Sequence, residues 1–465
     1  MRVRSLCAAL PLASALLGAL PAYADFPAAL SEYQAGHYEL AHAQFLALAE
    51  LGDCASQFNL AAMALQGQGG PKDSGSGVGW LRAAAENGCE RLVGNRLPAL
   101  TARLSTQDAR AAAEIVTRYG HQALKEQGIL EPELVCRDET PASVLQSPQP
   151  EYPHLAGGPA QGALVIVRLT VGSDGLARDP EVLLAVPAAA FAAAAVESWF
   201  NSQFRPAMRG ARAVASQLQA KSAFAGEGAA KPADLPPLKG ARPAADAGDP
   251  AAGYLVGLAA MLDGSFGISS ERAGQLLIES ARGGDARAQY WIGSQLHDTA
   301  ACHPQADGSV WLRHAAAGGS AAARLLLATD LLRATPSAAQ AAQARELLEQ
   351  AASSDDYYVS KHVTALLAAS PVAAVRDPTT ALRVADRLLA GEIHSDPQMF
   401  EAVAAAYAAN ADFQRAAAQQ QAAIARARSL GWDTSAMSER LTAYRAGRSW
   451  SGDLLTLPPA AATRT

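Results

Sequence analysis

The chain runs to 465 residues, half of them hydrophobic and 18% charged, with a formal charge of −6 at neutral pH. That composition excludes disorder over most of the length, and the mild acidity removes any global electrostatic drive toward nucleic acid or an anionic membrane. Aromatic residues make up only 6% and alanine is abundant, which favours many close-packed helices and argues against an all-β fold.

Met1-Arg2-Val3-Arg4 is a short basic start, Ser5 to Leu20 is an apolar run containing Pro11, and Ala22-Tyr23-Ala24 before Asp25 has the small-x-small form a signal peptidase accepts. Residues 1–24 therefore read as a cleaved export signal, with Ala24 and Asp25 flanking the cut, and the mature protein as soluble and periplasmic. The apolar run falls short of the ~20 residues needed to span a bilayer, so membrane association is expected only if the signal is retained. Cleavage removes Arg2 and Arg4 and no acidic residue, which takes the formal charge from −6 to −8. Cys7 lies inside the signal, in a poor lipoprotein context. Cys54, Cys89, Cys136 and Cys302 remain, an even number in an oxidising compartment; three pairings are open to them, and so is the state of buried free thiols.

From residue 25 to 135 the text is self-similar. Gly52-Asp53-Cys54 and Gly88-Cys89-Glu90 place their cysteines 35 positions apart, and the unit returns at Gly248-Asp249, Gly284-Asp285 and Gly319-Ser320, with spacings of 36 and 35. Each Gly-Asp or Gly-Ser supplies a stop for one helix and an N-cap for the next; an Ala/Leu-rich helix, a Gly-rich turn and a second helix follow. Gln66 to Asp73 is such a turn, and Trp80-Leu81-Arg82-Ala83-Ala84, Trp311-Leu312-Arg313-His314-Ala315 and Leu347-Leu348-Glu349-Gln350-Ala351 fill one slot of the second helix. Small residues at facing positions allow the close approach that stacked hairpins require.

The words Gly67-Gln68-Gly69-Gly70-Pro71-Lys72-Asp73, Trp80 to Ala84, and Gly284-Asp285-Ala286-Arg287-Ala288-Gln289-Tyr290 resemble Sel1-like repeats, a tetratricopeptide-related family. The resemblance implies an α-solenoid of helical hairpins over residues 25–135 and again over 248–370. Cysteine-rich members are stapled within each hairpin, but here the second cysteine of each pair is missing, so that staple is not carried over. Equivalent positions of neighbouring hairpins lie ~8–10 Å apart, which is long for a direct Cys54–Cys89 bond. Asp396 to Tyr407 and Asp412 to Ala418 resemble a tetratricopeptide hairpin, giving a further helical segment over 371–448 and a flexible tail over 449–465.

Residues 136–225 are a different kind of text. Pro148 to Pro153 opens it, Gly162 to Val171 is strand-like, Ser173-Asp174-Gly175 is a tight turn, and Pro180 to Val186 returns as a second strand. Phe191 to Phe200 is helical, Arg212 to Phe224 forms a third strand, and the Ala/Gly/Pro-rich residues 226–247 read as a linker. Tyr152-Pro153, Gly162, Val171 through Asp174-Gly175, and Trp199 to Phe204-Arg205-Pro206-Ala207 make this segment resemble the C-terminal domain of the TonB family of periplasmic energy transducers. In that family the last strand offers its edge to a receptor segment, so the implied contact set is Arg212, Val214, Ser216, Leu218, Ala220 and Ser222, with Tyr152, Pro153, Trp199, Phe204, Arg205 and Pro206 as contact or structural residues. Known transducers begin with an uncleaved membrane helix and a long Pro-rich spacer; this chain has a repeat block in that place.

No catalytic constellation is present. Glycines 67, 69, 70, 75, 77 and 79 lack the Gly-Lys-Ser/Thr and preceding strand of a phosphate loop and belong to a repeat turn. His297, Cys302 and His303 lack a fourth metal ligand. No metal or cofactor is expected. The fold expected is mainly α, an α-solenoid with a small inserted α+β domain. Its function reads as that of a periplasmic protein-interaction scaffold without enzymatic activity, with an envelope protein or outer-membrane receptor segment as partner and peptidoglycan as a second candidate. The alternative is a TonB-type energy transducer or an accessory in outer-membrane transport.

Overall fold

The computed structural model describes residues 25–132, 134–136, 139–153, 162–224, 231–297, 302–304 and 308–455. The expected signal and the end of the expected flexible tail, residues 456–465, lie outside them.

Helix punctuation follows the sequence closely. Gly52, Gly248, Gly284 and Gly319 all adopt positive φ, between 81° and 101°, which costs glycine nothing and turns the chain out of a helix. The next residue caps the following helix: Asp53 accepts from the Ser56 N–H at 2.7 Å, Asp249 from Ala252 at 2.8 Å, Asp285 from Ala288 at 3.0 Å and Ser320 from Ala323 at 3.2 Å.

The N-terminal helices are α1 (Phe26–Gln34), α2 (Tyr38–Ala49), α3 (Cys54–Gln66), α4 (Ser74–Ala84), the short α5 (Glu90–Val93) and α6 (Arg96–Thr101), α7 (Thr106–Tyr119) and α8 (His121–Glu126). Helices α1 to α4 pack in succession and α7 packs on α4. Gly75, Gly77 and Gly79 are not in the turn, which closes at the Asp73 cap; they lie inside α4. A Cβ on Gly75 would come within 2.8 Å of the Asp108 backbone and one on Gly79 within 3.0 Å of Ala112, so these glycines let α4 and α7 touch. Cys54 and Cys89 form a disulfide with Cα atoms 5.6 Å apart. This corrects the expectation that they sit too far apart. Cys54 opens α3 and Cys89 follows α4, and a full helix–turn–helix passage returns the chain to the end from which it started.

The sheet domain comprises β1 (Leu134–Cys136), β2 (Glu139–Thr140), β3 (Ser143–Gln146), β4 (Ala163–Val171), β5 (Ala177–Val186), α9 (Ala190–Phe200), β6 (Gln203–Arg205), β7 (Ala207–Arg209), β8 (Arg212–Val214) and β9 (Ser216–Phe224). The main sheet has the order β5-β4-β9, antiparallel throughout. The single strand expected over 212–224 is broken at Ala215: β8 pairs with β7 in a separate ribbon, and only β9 joins β4.

Residues 231–247 are not the plain linker expected. Pro236 and Pro237 occupy the first turn of α10 (Pro236–Asp246), where their missing N–H groups cost nothing, and the helix buries Leu238 and Ala245. Then follow α11 (Pro250–Leu262), α12 (Ser270–Arg282), α13 (Ala286–His297), the strand β10 (Cys302–Pro304), α14 (Gly308–Ala317), α15 (Ala321–Leu332), α16 (Ala338–Ala351), α17 (Tyr357–Ala369), α18 (Pro378–Ala390), α19 (Pro397–Ala409), α20 (Phe413–Ser429) and α21 (Ser435–Arg445). The helices on either side of the sheet domain meet directly. Arg282, at the end of α12, donates to the carbonyls of Leu51, at 3.2 Å, and Gly52, while Leu51, Leu124 and Ile129 share one core with Leu258 and Leu276.

Candidate interaction surface

Strand β4 explains why its text is almost continuously apolar: both faces are covered. Val165, Val167, Leu169 and Val171 pack with Phe191, Val196 and Trp199, whereas Leu164 and Ile166 join Leu258, Leu277 and Trp311 of the helices that follow. The sheet is thus held between its own helix α9 and the helical run from α11 onward.

Arg168 lies on the second face, only 3% exposed. Its guanidinium donates to Glu181 Oε2 at 2.8 and 2.6 Å, to Ser294 Oγ at 2.6 Å and to Tyr290 Oη at 2.9 Å. Burial works against its charge, but the Glu181 carboxylate outweighs that and holds the guanidinium pKa above its ordinary value. Tyr290 and Ser294 belong to α13, so this cluster joins the centre of the sheet to a helix that follows it in the chain.

A second cluster stands on β5. The β4–β5 register shifts between Arg168 and Thr170, and within that irregularity Asp179 takes φ 52°, a conformation that non-glycine residues rarely adopt. The carboxylate of Asp179 receives Lys361 Nζ at 2.7 Å and His362 Nε2 at 2.8 Å, and its N–H donates to Gln398 Oε1 at 3.0 Å. Lys361, fully buried, also donates to Asp396 Oδ2 at 2.9 Å, and Tyr357 Oη donates to the same oxygen at 2.9 Å. Burial alone would raise the Asp179 pKa; the charges of His362 and Lys361 instead draw it well below the usual carboxylate range. Burial would lower the lysine, and the two aspartates hold it above its ordinary value. On the α9 side, Arg426 of α20 grips Glu197 at 2.8 and 2.9 Å.

The outer side of β9 is one of the two edges of the main sheet, the other being that of β5. Among the described residues no strand pairs there. Gln217, Lys221 and Ala223 are exposed, Lys221 reaching Asp263 at 2.7 Å, and Gln219 accepts from Trp291 Nε1 at 3.3 Å. Of the expected contact set, Ser216 and Leu218 are half-buried, while Ala220 and Ser222 are buried, so a partner alongside β9 could meet only their backbone. Arg212 and Val214 lie on β8, outside this ladder.

Tyr152 stands edge-on to Phe191 at 5.4 Å and Phe224 at 6.3 Å, Trp199 and Phe204 are buried with ring centres 6.3 Å apart, Arg205 is exposed at the end of β6, and Pro206 is half-buried. Tyr152 and Pro153 also line a groove of about 850 Å³, together with Glu197 and Ser198 of α9, His394 and Arg426. His297 pairs with Asp330 at 2.9 Å. Among the described residues no group of three or more His, Cys, Asp and Glu is arranged to hold a metal, and no helix is long and apolar enough to cross a membrane.

Nothing in the text signals the Arg168 or Asp179 clusters: apart from Glu181, the partners of these two residues lie more than a hundred positions away. No curated protein matches the chain. The segment carrying the sheet, residues 148–225, matches the family described as the Gram-negative bacterial TonB protein C-terminal.

Proposed function

We propose that this protein is a periplasmic scaffold of the Gram-negative envelope that binds a protein partner by strand addition along β9, with no chemistry of its own. The observation that carries this reading is the open side of β9 in a sheet otherwise covered on both faces, within the segment that matches the TonB C-terminal family. Stacked helical hairpins of the Sel1-like and tetratricopeptide-like kind, forming a solenoid, would hold that edge in place; the repeated positive-φ glycine and capping Asp or Ser support this part of the reading. The partner is an extended segment of an outer-membrane protein.

The test is copurification of the exported full chain with outer-membrane proteins, beside Leu218→Pro and Lys221→Pro. The two positions differ in parity, so in an antiparallel ladder one substitution removes an N–H facing β4 and the other an N–H on the open side. Lost capture by a variant that keeps its melting temperature supports strand addition. Undiminished capture by two folded variants rejects it.

The second reading, an energy transducer or its accessory, draws on the same family match and requires an anchor. A membrane-bound chain whose intact mass retains Met1 to Ala24 favours it; a soluble species beginning at Asp25 favours the scaffold.

A further inference from the structure

Four cysteines lie beyond the expected signal, and the Cys54–Cys89 disulfide leaves two. Those two are brought together by backbone pairing. Strand β1, which leads into the sheet domain, and strand β10, which lies between α13 and α14, form an antiparallel ribbon in which Leu134 faces Pro304, Val135 faces His303 and Cys136 faces Cys302. Residues directly opposite in an antiparallel pair have Cα atoms about 4.5–5.5 Å apart, within the span a disulfide bridges. The two strands come from opposite sides of the sheet domain in sequence.

We infer that Cys136 and Cys302 form a second disulfide, which locks the entry to the sheet domain onto the α13–α14 connection. The bond forms by exchange with an external disulfide, either a protein oxidant or a small-molecule disulfide. The thiolate of one cysteine attacks a sulfur of the oxidant, forming a mixed disulfide and releasing one oxidant thiol. The thiolate of the other then attacks the protein sulfur of that mixed disulfide and releases the second oxidant thiol. Two protein thiols are oxidised, one external disulfide is reduced, and the two protons end on the released thiols at low pH or in the buffer at high pH. The chemistry suits an exported chain, because such bonds persist in oxidising compartments.

The bond would also explain how so short a ribbon is held. Three residues a side is less than an isolated pair of strands can sustain in water, and a covalent tie at one rung removes much of the entropy that opposes pairing.

The test uses the full-length chain purified from the periplasm without reductant, unfolded in the presence of N-ethylmaleimide, digested and weighed by mass spectrometry. The expected result is no maleimide on Cys136 or Cys302, and a linked peptide pair containing both that separates on reduction. Maleimide on both residues while Cys54–Cys89 stays linked overturns the inference, as does Cys136 joined to any other cysteine. In parallel, Cys136→Ser should expose one new reactive thiol per chain, at Cys302. A thiol count that falls by one relative to wild type, as two free cysteines would give, overturns the inference equally, and since the count is made on unfolded protein it holds whether or not the variant folds.

Discussion

Lys361 of α17 lies 2.7 Å from Asp179 of β5 and 2.9 Å from Asp396, with neither Lys361 nor Asp396 exposed at all. One buried cation thus serves two carboxylates, one on the sheet and one capping α19. Lys361→Met leaves Asp396 without its cation and Asp179 with His362 alone, and should cost about 3–5 kcal/mol, read by urea denaturation. The pH dependence follows from the shifts. The contribution of Asp179, whose pKa is depressed, is complete above its ordinary value of 3.8 and is lost as the pH falls through the lower folded value. That of Lys361, whose pKa is raised, is complete below 10.5 and is lost as the pH rises past the folded value. At pH 7 both contributions are complete, and Lys361→Met should lower stability there by the full amount; a penalty that vanishes at pH 7 would remove the cluster from the account of how the domains are joined.

The Cys54–Cys89 disulfide closes a loop of 35 residues. Loop-closure entropy puts its stabilisation at about 4 kcal/mol. Cys54→Ser should therefore melt well below wild type under non-reducing conditions and alongside it in dithiothreitol, by calorimetry.

Gly75 and Gly70 make a contrasting pair. A Cβ at Gly75 meets the Asp108 backbone at 2.8 Å, whereas one at Gly70 meets nothing within 4 Å. Gly75→Ala should lose about 1–3 kcal/mol as α4 is pushed from α7, despite its better helix propensity. Gly70→Ala should be neutral or stabilising by less than about 1 kcal/mol. Equal melting temperatures for the two would contradict the close approach of α4 and α7.

His314 of α14 is held near neutral by its surroundings: burial, helped by the adjacent Arg313, pushes its pKa from 6.5 down to about 4. Its folded pKa lies below its unfolded one, so its contribution is complete above about pH 6.5 and is lost as the pH falls toward 4. The melting temperature of wild type should drop over that window more steeply than that of His314→Gln.

Where a segment's own pattern decides its structure, the sequence is readable. The apolar run of β4, the Ser173-Asp174-Gly175 turn and the Gly-Asp helix junctions all form where local chemistry calls for them. The misses come from pairing and packing partners that a segment's own pattern does not reveal. Ala215 interrupts an otherwise strand-like stretch because β7 claims Arg212–Val214 before β4 claims the rest. Residues 236–246 read as linker on composition, yet they fold because Leu238 and Ala245 find a core. Cys54 and Cys89 look like equivalent positions of successive repeats, and that equivalence hides the return of one hairpin to its own starting end. Arg168, Asp179 and Lys361 carry no motif; only the fold reveals that each answers a charge or hydroxyl on another element. The open side of β9 is likewise a property of the sheet order, invisible in the residues themselves.

The full cover over β4 also bears on mechanics. A pull along β9 is taken up as shear across the nine-residue β4–β9 register, where many ladder bonds share the load before any one breaks. From β4 it passes through Arg168 into α13 and, by way of β5, through Asp179 into α17. Tension at this edge therefore reaches the helical frame through short, buried, charged links, and a partner tugging on the sheet would be working against the whole body of the protein.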